Sequence, residues 1–91
     1  MDLYTKNGLP LQVSGDIVYS RSGKVVGRIR SNKVYGPDGH YVGTIAVNRL
    51  VYRSIDRTGI SPPFVAANRA GFSRANRSVS AIWGDEPIIP D

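Results

Sequence analysis

The sequence predicts an α+β fold in which tandem β-hairpin repeats form an antiparallel sheet, a β-flower, followed by a C-terminal helix or two short helices. Three observations predict it. Tyr4, Tyr19, Tyr35 and Tyr52 recur 15, 16 and 17 residues apart; a glycine follows the first three of them four positions later; and a proline-free, alanine-containing stretch lies beyond Pro63.

The repeat units are "LYTKNGLPLQV" from Leu3, "VYSRSGKVVGRI" from Val18, "VYGPDGHYVGTI" from Val34 and "VYRSIDRTGI" from Val51. In the first three, Gly8, Gly23 and Gly39 follow Asn, Ser or Asp, a pairing that supplies the positive φ of a tight hairpin turn or its bulge. Units two and three add Gly27 with Ile29 and Gly43 with Ile45. The first unit carries Gln12 at the second-glycine place, and in the fourth Asp56 replaces the turn glycine. Each unit reads as two strands of about four to five residues with alternating apolar positions, and one hairpin cannot bury its face alone. The repeats therefore span 2–60 of a single domain, 1–91.

Ser61-Pro62-Pro63 ends the last strand, and the residues from Val65 to Trp83 hold five alanines and no proline, which predicts a helix over 64–83. At 100° per residue, Val65, Phe72, Ala75, Val79 and Ile82 share a stripe that would pack on the hairpins. Gly71 would cost about 1 kcal/mol in a helix interior, so two shorter helices are an alternative. Residues 84–91 form an acidic tail. On the opposite side of that helix, Arg69, Ser73, Asn76, Arg77 and Ser80 would make a stripe of guanidinium, amide and hydroxyl groups able to donate to phosphate oxygens. The triplet Ala-Asn-Arg occurs twice there, at 67–69 and 75–77, eight residues apart.

Composition bounds the function. A chain of 91 residues has a thin core, and with no cysteine and one histidine, His40, neither disulfides nor a Cys/His zinc site can brace it. Oligomerisation is the remaining common device, so a homo-oligomer is expected. No apolar run approaches a membrane span and no signal-peptide pattern opens the chain, which predicts a cytoplasmic protein. Net charge is +5, concentrated in Ile17 to Gly84, where nine Arg and two Lys face only Asp38 and Asp56. Arginine pairs bidentately with phosphate and stacks on aromatic or base faces, so an anionic partner is expected.

No reaction is expected. His40 follows a turn glycine as an exposed loop residue would, Asp85 and Glu86 are neighbours rather than an acid/base pair flanking a substrate, and no phosphate-binding glycine loop occurs. The residues predict a binding protein without cofactor or metal.

The "(V/L)Y-x-x-x-G-x-x-V-G-x-I" units are similar to four-fold β-flower proteins. The arrangement of flower, "SPPF", an Asn-Arg-rich segment and "SAIWGDEP" resembles the phage-encoded Thoeris anti-defence sponges of the first described type, over about Asp2 to Pro87. The resemblance implies homo-oligomers, dimers that can assemble into hexamers. It also implies tight binding of cyclic ADP-ribose isomers, without cleavage, in pockets between subunits; some members also hold cyclic oligonucleotides. Such a ligand offers a pyrophosphate, riboses and an adenine. Arg69, Arg77, Asn68 and Asn76 are candidates for its phosphates, Phe64, Phe72 or Trp83 for an aromatic platform, and Arg28, Arg30 or Arg53 for a site on the flower itself. A small nucleic-acid-binding module and a structural or assembly protein use the same residue types and stay open as alternatives.

Overall fold

The structure is a computed structural model, and it describes residues 2–90. The tyrosine repeat builds the wall of a closed barrel. Its strands are β1 (Leu3–Thr5), β2 (Pro10–Ser14), β3 (Ile17–Tyr19), β4 (Val25–Arg30), β5 (Lys33–Tyr35), β6 (Tyr41–Ala46) and β7 (Arg49–Val51), each antiparallel to the next. The ring closes where β7 lies parallel to β1, with Tyr4 beside Arg49 and Thr5 beside Leu50.

Strand alternation decides what faces inward. The residue before each repeat tyrosine, Leu3, Val18, Val34 or Val51, is fully buried, and Leu3, Val18 and Val34 form the core with Leu11, Val26 and Leu50. The tyrosine itself points the other way, to the outside of the wall. Units two and three share one irregularity. Val26 and Val42 are extra residues opposite the Val18–Tyr19 and Val34–Tyr35 steps, bulges that sharpen the local twist.

The expected helix over 64–83 does not form, and the fold is all-β rather than α+β. Among the described residues the only helical turn is a 3-10 turn at Ser54–Asp56, in the degenerate fourth unit. The intended apolar stripe is not a core face: Val65 is 100% exposed and Val79 66% exposed. Residues 61–85 instead form an extended belt around one end of the barrel, hydrogen-bonded to the hairpin turns in reverse order. Ser61 and Phe64 N–H donate to Gly39 and Pro37 carbonyls, Arg69 and Phe72 to Gly23 and Arg21, and Arg77 and Ser80 to Gly8 and Lys6. Asp85 and Tyr52 then exchange a reciprocal pair of 2.7 Å bonds, bringing the belt back beside the fourth unit. The belt's N–H groups thus find partners in the turns, a tertiary gain that overrides the modest helix preference of alanine.

Eight residues separate successive attachment points, Ser61, Arg69, Arg77 and Asp85. That spacing, and not two helical turns, accounts for the repeated Ala-Asn-Arg triplet. The turn glycines carry a second duty here. A Cβ on Gly8, Gly23 or Gly39 would lie 1.9, 1.7 or 2.1 Å from the belt carbonyl oxygen of Arg77, Arg69 or Ser61.

The belt's far end is fastened to the first petal. Thr5, fully buried, donates from Oγ1 to Glu86 Oε2 at 2.7 Å and accepts the Leu9 N–H at 3.1 Å, while the Asn7 N–H donates to Glu86 Oε1 at 2.8 Å. Thr5→Val keeps the shape but leaves the carboxylate and the Leu9 N–H each one partner short. It is expected to cost about 2 kcal/mol, read as a lower urea midpoint at unchanged slope. Asn7→Ala, which retains the main-chain donor, should shift the midpoint by less than about a quarter as much.

Candidate functional site

Most basic side chains of the barrel grip the belt. A belt made of extended chain leaves carbonyls pointing away from the turns, and buried or half-buried carbonyls require donors. Lys6 Nζ donates to Ser80 O (3.1 Å) and to Ile82 O; Arg49 to Ser78 O (2.9 Å) as well as Thr5 and Lys6 O; Arg53 Nε to Trp83 O (3.4 Å). Arg21 donates to Arg74 O and Asn76 Oδ1, and Arg30 to Ser61 Oγ (3.2 Å). Part of the strong positive charge is therefore structural.

The residues expected to hold a ligand separate accordingly. Phe64 is half-buried with the Arg28 guanidinium 4.9 Å from its ring centre, and Arg53 lies 4.0 Å from that of Trp83. Asn68 Oδ1 accepts the Val25 N–H at 3.0 Å, and Asn76 is bonded by Arg21. These five, Phe64, Arg28, Arg53, Asn68 and Asn76, fasten belt to barrel. Arg69, Phe72 and Arg77 line hollows. No helical face joins them; the belt carries Arg69 and Phe72 to the second petal and Arg77 to the first.

The larger hollow, about 560 Å³, lies where β7 closes on β1 and is lined by Asp2, Tyr4, Val47, Asn48, Arg49, Arg77, Ser80 and Ile82. Arg77 stands with its guanidinium carbon 4.7 Å from the Tyr4 ring centre, and Arg49 at 6.0 Å. Tyr4 is buried beneath them, so it props the two cations and offers little face of its own to a ligand. Among the described residues no hydrogen bond engages the Arg77 guanidinium, whereas Arg49 donates from one terminal nitrogen to three carbonyls. Val47, 87% exposed at this hollow, has φ +50° in the Val47-Asn48 turn, a left-handed conformation costing roughly 1–2 kcal/mol for a side chain with a Cβ.

The chemistry available is that of anion binding by two cations, the Ser80 hydroxyl and the Asn48 amide, opposed by one carboxylate, Asp2, which is paired with Arg74. A smaller hollow of about 310 Å³ adjoins it, lined by Asp2, Leu11, Gln12, Val13, Arg69, Phe72 and Arg74. Among the described residues no three His, Cys, Asp or Glu side chains lie together where they could hold a metal ion, and no helix is long and apolar enough to cross a membrane.

The sequence singles out Ser80, as part of the phosphate-donating stripe, but not Tyr4, Asn48, Arg49 or Asp2 as ligand contacts. One signal for Arg49 existed: a ring of petals must set its last strand beside its first, which puts the residue after the Val47-Asn48 turn next to Tyr4.

No protein family, curated protein or solved structure matches the chain. The site must be read from its own chemistry.

Proposed function

We propose that this protein binds and sequesters a small cyclic nucleotide second messenger, of the cyclic ADP-ribose class, without cleaving it, acting as an anti-defence sponge. The observation that carries the reading is the hollow of about 560 Å³ walled by Arg49 and Arg77. Its size falls within the range of about 300–1,000 Å³ usual for small-ligand sites, and two guanidinium groups beside a hydroxyl and an amide match a pyrophosphate. The resemblance of the hairpin repeats to four-fold β-flower sponges supplies the ligand class and a homo-oligomeric assembly. The nucleic-acid reading is less favoured because Arg21, Arg30 and Arg53 are hydrogen-bonded to the belt, which commits three of the barrel's guanidinium groups to the fold.

Calorimetric titration of the protein with a cyclic ADP-ribose isomer, with light scattering on the same sample, tests this. Saturable binding by an oligomer, weakly dependent on salt, and recovery of the intact ligand after heating are the expected results. Product that accumulates linearly with time would exclude a sponge. Preference for single-stranded nucleic acid, with affinity falling steeply as salt rises, would favour the nucleic-acid module.

A further inference from the structure

The belt and the barrel both repeat, so what is built around Arg77 is built again one petal away. The Arg77 N–H sits on the Gly8 carbonyl and its guanidinium over Tyr4; the Arg69 N–H sits on the Gly23 carbonyl and its guanidinium over Tyr19, 5.2 Å from the ring centre. Three residues on, Ser80 and Phe72 make the second bond to each turn; five residues on come Ile82 and Arg74. The same three belt ranks, 77, 80 and 82 or 69, 72 and 74, line the larger and the smaller hollow. The other two belt positions of the Arg69–Arg77 rank are Ser61 and Asp85, which carry no positive charge. Among the described residues this rank of the belt therefore brings an arginine to two hollows, through Arg77 and Arg69.

The smaller hollow already contains an anion. Asp2 lines both hollows, and its carboxylate lies 3.2 Å from the Arg74 guanidinium, which is itself 5.0 Å from the Phe72 ring centre. Asp2 and Arg74 are partly exposed, at 66% and 37%, so this pair is weak and replaceable. The Arg69 guanidinium in the same hollow makes no hydrogen bond among the described residues and is held only over its tyrosine.

We propose that the Arg69–Arg74 hollow is a second phosphate-binding subsite, filled in the free protein by the Asp2 carboxylate, which an incoming phosphate group displaces. The inference goes beyond the sponge reading, because it rests on the repeated geometry and not on which nucleotide the larger hollow takes. Two subsites that share Asp2 suit either two separate phosphate ligands or one ligand with phosphates far enough apart to reach both.

The test is titration of the full chain with inorganic pyrophosphate at low ionic strength, comparing wild type with Arg69→Ala, Arg77→Ala and Asp2→Asn. Both alanine variants keep the main-chain bond to the turn, and unchanged thermal midpoints would verify that they fold. Wild type is expected to take up two equivalents per chain and each arginine variant one. Asp2→Asn should tighten the step that Arg69→Ala removes by about three- to fivefold, the scale of a displaced exposed ion pair. A single equivalent abolished by Arg77→Ala and untouched by Arg69→Ala would overturn the second subsite and leave the sponge reading standing. Absence of binding in wild type would remove both. Two equivalents with no tightening in Asp2→Asn would overturn the displacement by phosphate.

Discussion

Gly23→Ala is expected to lower the thermal midpoint by roughly 10–20 °C, whereas Gly15→Ala should lower it by no more than about half as much. Both glycines have positive φ, +96° at Gly23 and +61° at Gly15, so both substitutions incur backbone strain of about 1–2 kcal/mol. They differ in what the new methyl meets. At Gly15 nothing lies within 4 Å; at Gly23 the Cβ would sit 1.7 Å from the Arg69 carbonyl oxygen and 2.7 Å from its carbon. The belt must lift, and the 2.8 Å bond from the Arg69 N–H to the Gly23 carbonyl is lost with it, adding about 1 kcal/mol or more. Differential scanning calorimetry of the two variants separates turn strain from belt displacement. Equal losses would mean that the belt contributes nothing to stability.

For Arg77→Ala, affinity for a cyclic ADP-ribose isomer is expected to fall on the order of 30- to 800-fold, the equivalent of about 2–4 kcal/mol for one charge-assisted pair in a ligand-filled hollow. Folding should be nearly unaffected, since the side chain is exposed and the anchoring N–H remains. Arg49 is a poorer probe, because its guanidinium braces the carbonyls of Thr5, Lys6 and Ser78, so its removal mixes stability with affinity. Lys33→Ala provides the comparison for diffuse attraction. Its ammonium is on the surface beside Asn32, and its loss should change affinity by less than about threefold. Calorimetric titration decides between them: similar small losses in both variants would point to unspecific electrostatics, and tight binding retained by Arg77→Ala would move the ligand away from the larger hollow.

The hairpins of the wall were legible because their signals are local, whereas their closure into an all-β barrel through the parallel β7–β1 pair was not. Gly8, Gly23 and Gly39 have φ of +96°, +96° and +86°, the conformations their Asn-Gly, Ser-Gly and Asp-Gly contexts indicate, and the alternation around each tyrosine places Leu3, Val18, Val34 and Val51 inside. The belt was not legible for a reason that is equally physical. Its regular bonds go to carbonyls 22 to 74 residues away in sequence, so nothing within residues 61–85 records them except the eight-residue spacing, which a helix of 3.6 residues per turn imitates with a shift of only about 80°. Alanine content then tipped the reading towards helix, a preference worth only tenths of a kcal/mol per residue. The arginines misled in a related way. Their excess was read as attraction for an external anion, while Arg21, Arg49 and Arg53 also serve as donors to belt carbonyls that a sequence does not reveal as needing any.

The chain is written on two rulers. The barrel advances by 15 to 17 residues per unit and the belt by eight, and the graduations coincide only where a turn carbonyl meets a belt N–H. Adding a petal to the wheel would lengthen its circumference, so the girdle would need a further eight residues as well, inserted not beside the new petal but tens of positions downstream. One tandem duplication supplies the first increment and leaves the girdle short; a second, independent event of matching length is required before the circle can meet again at Tyr52 and Asp85. Petal number in this architecture is thereby fixed against the commonest way in which repeat proteins grow.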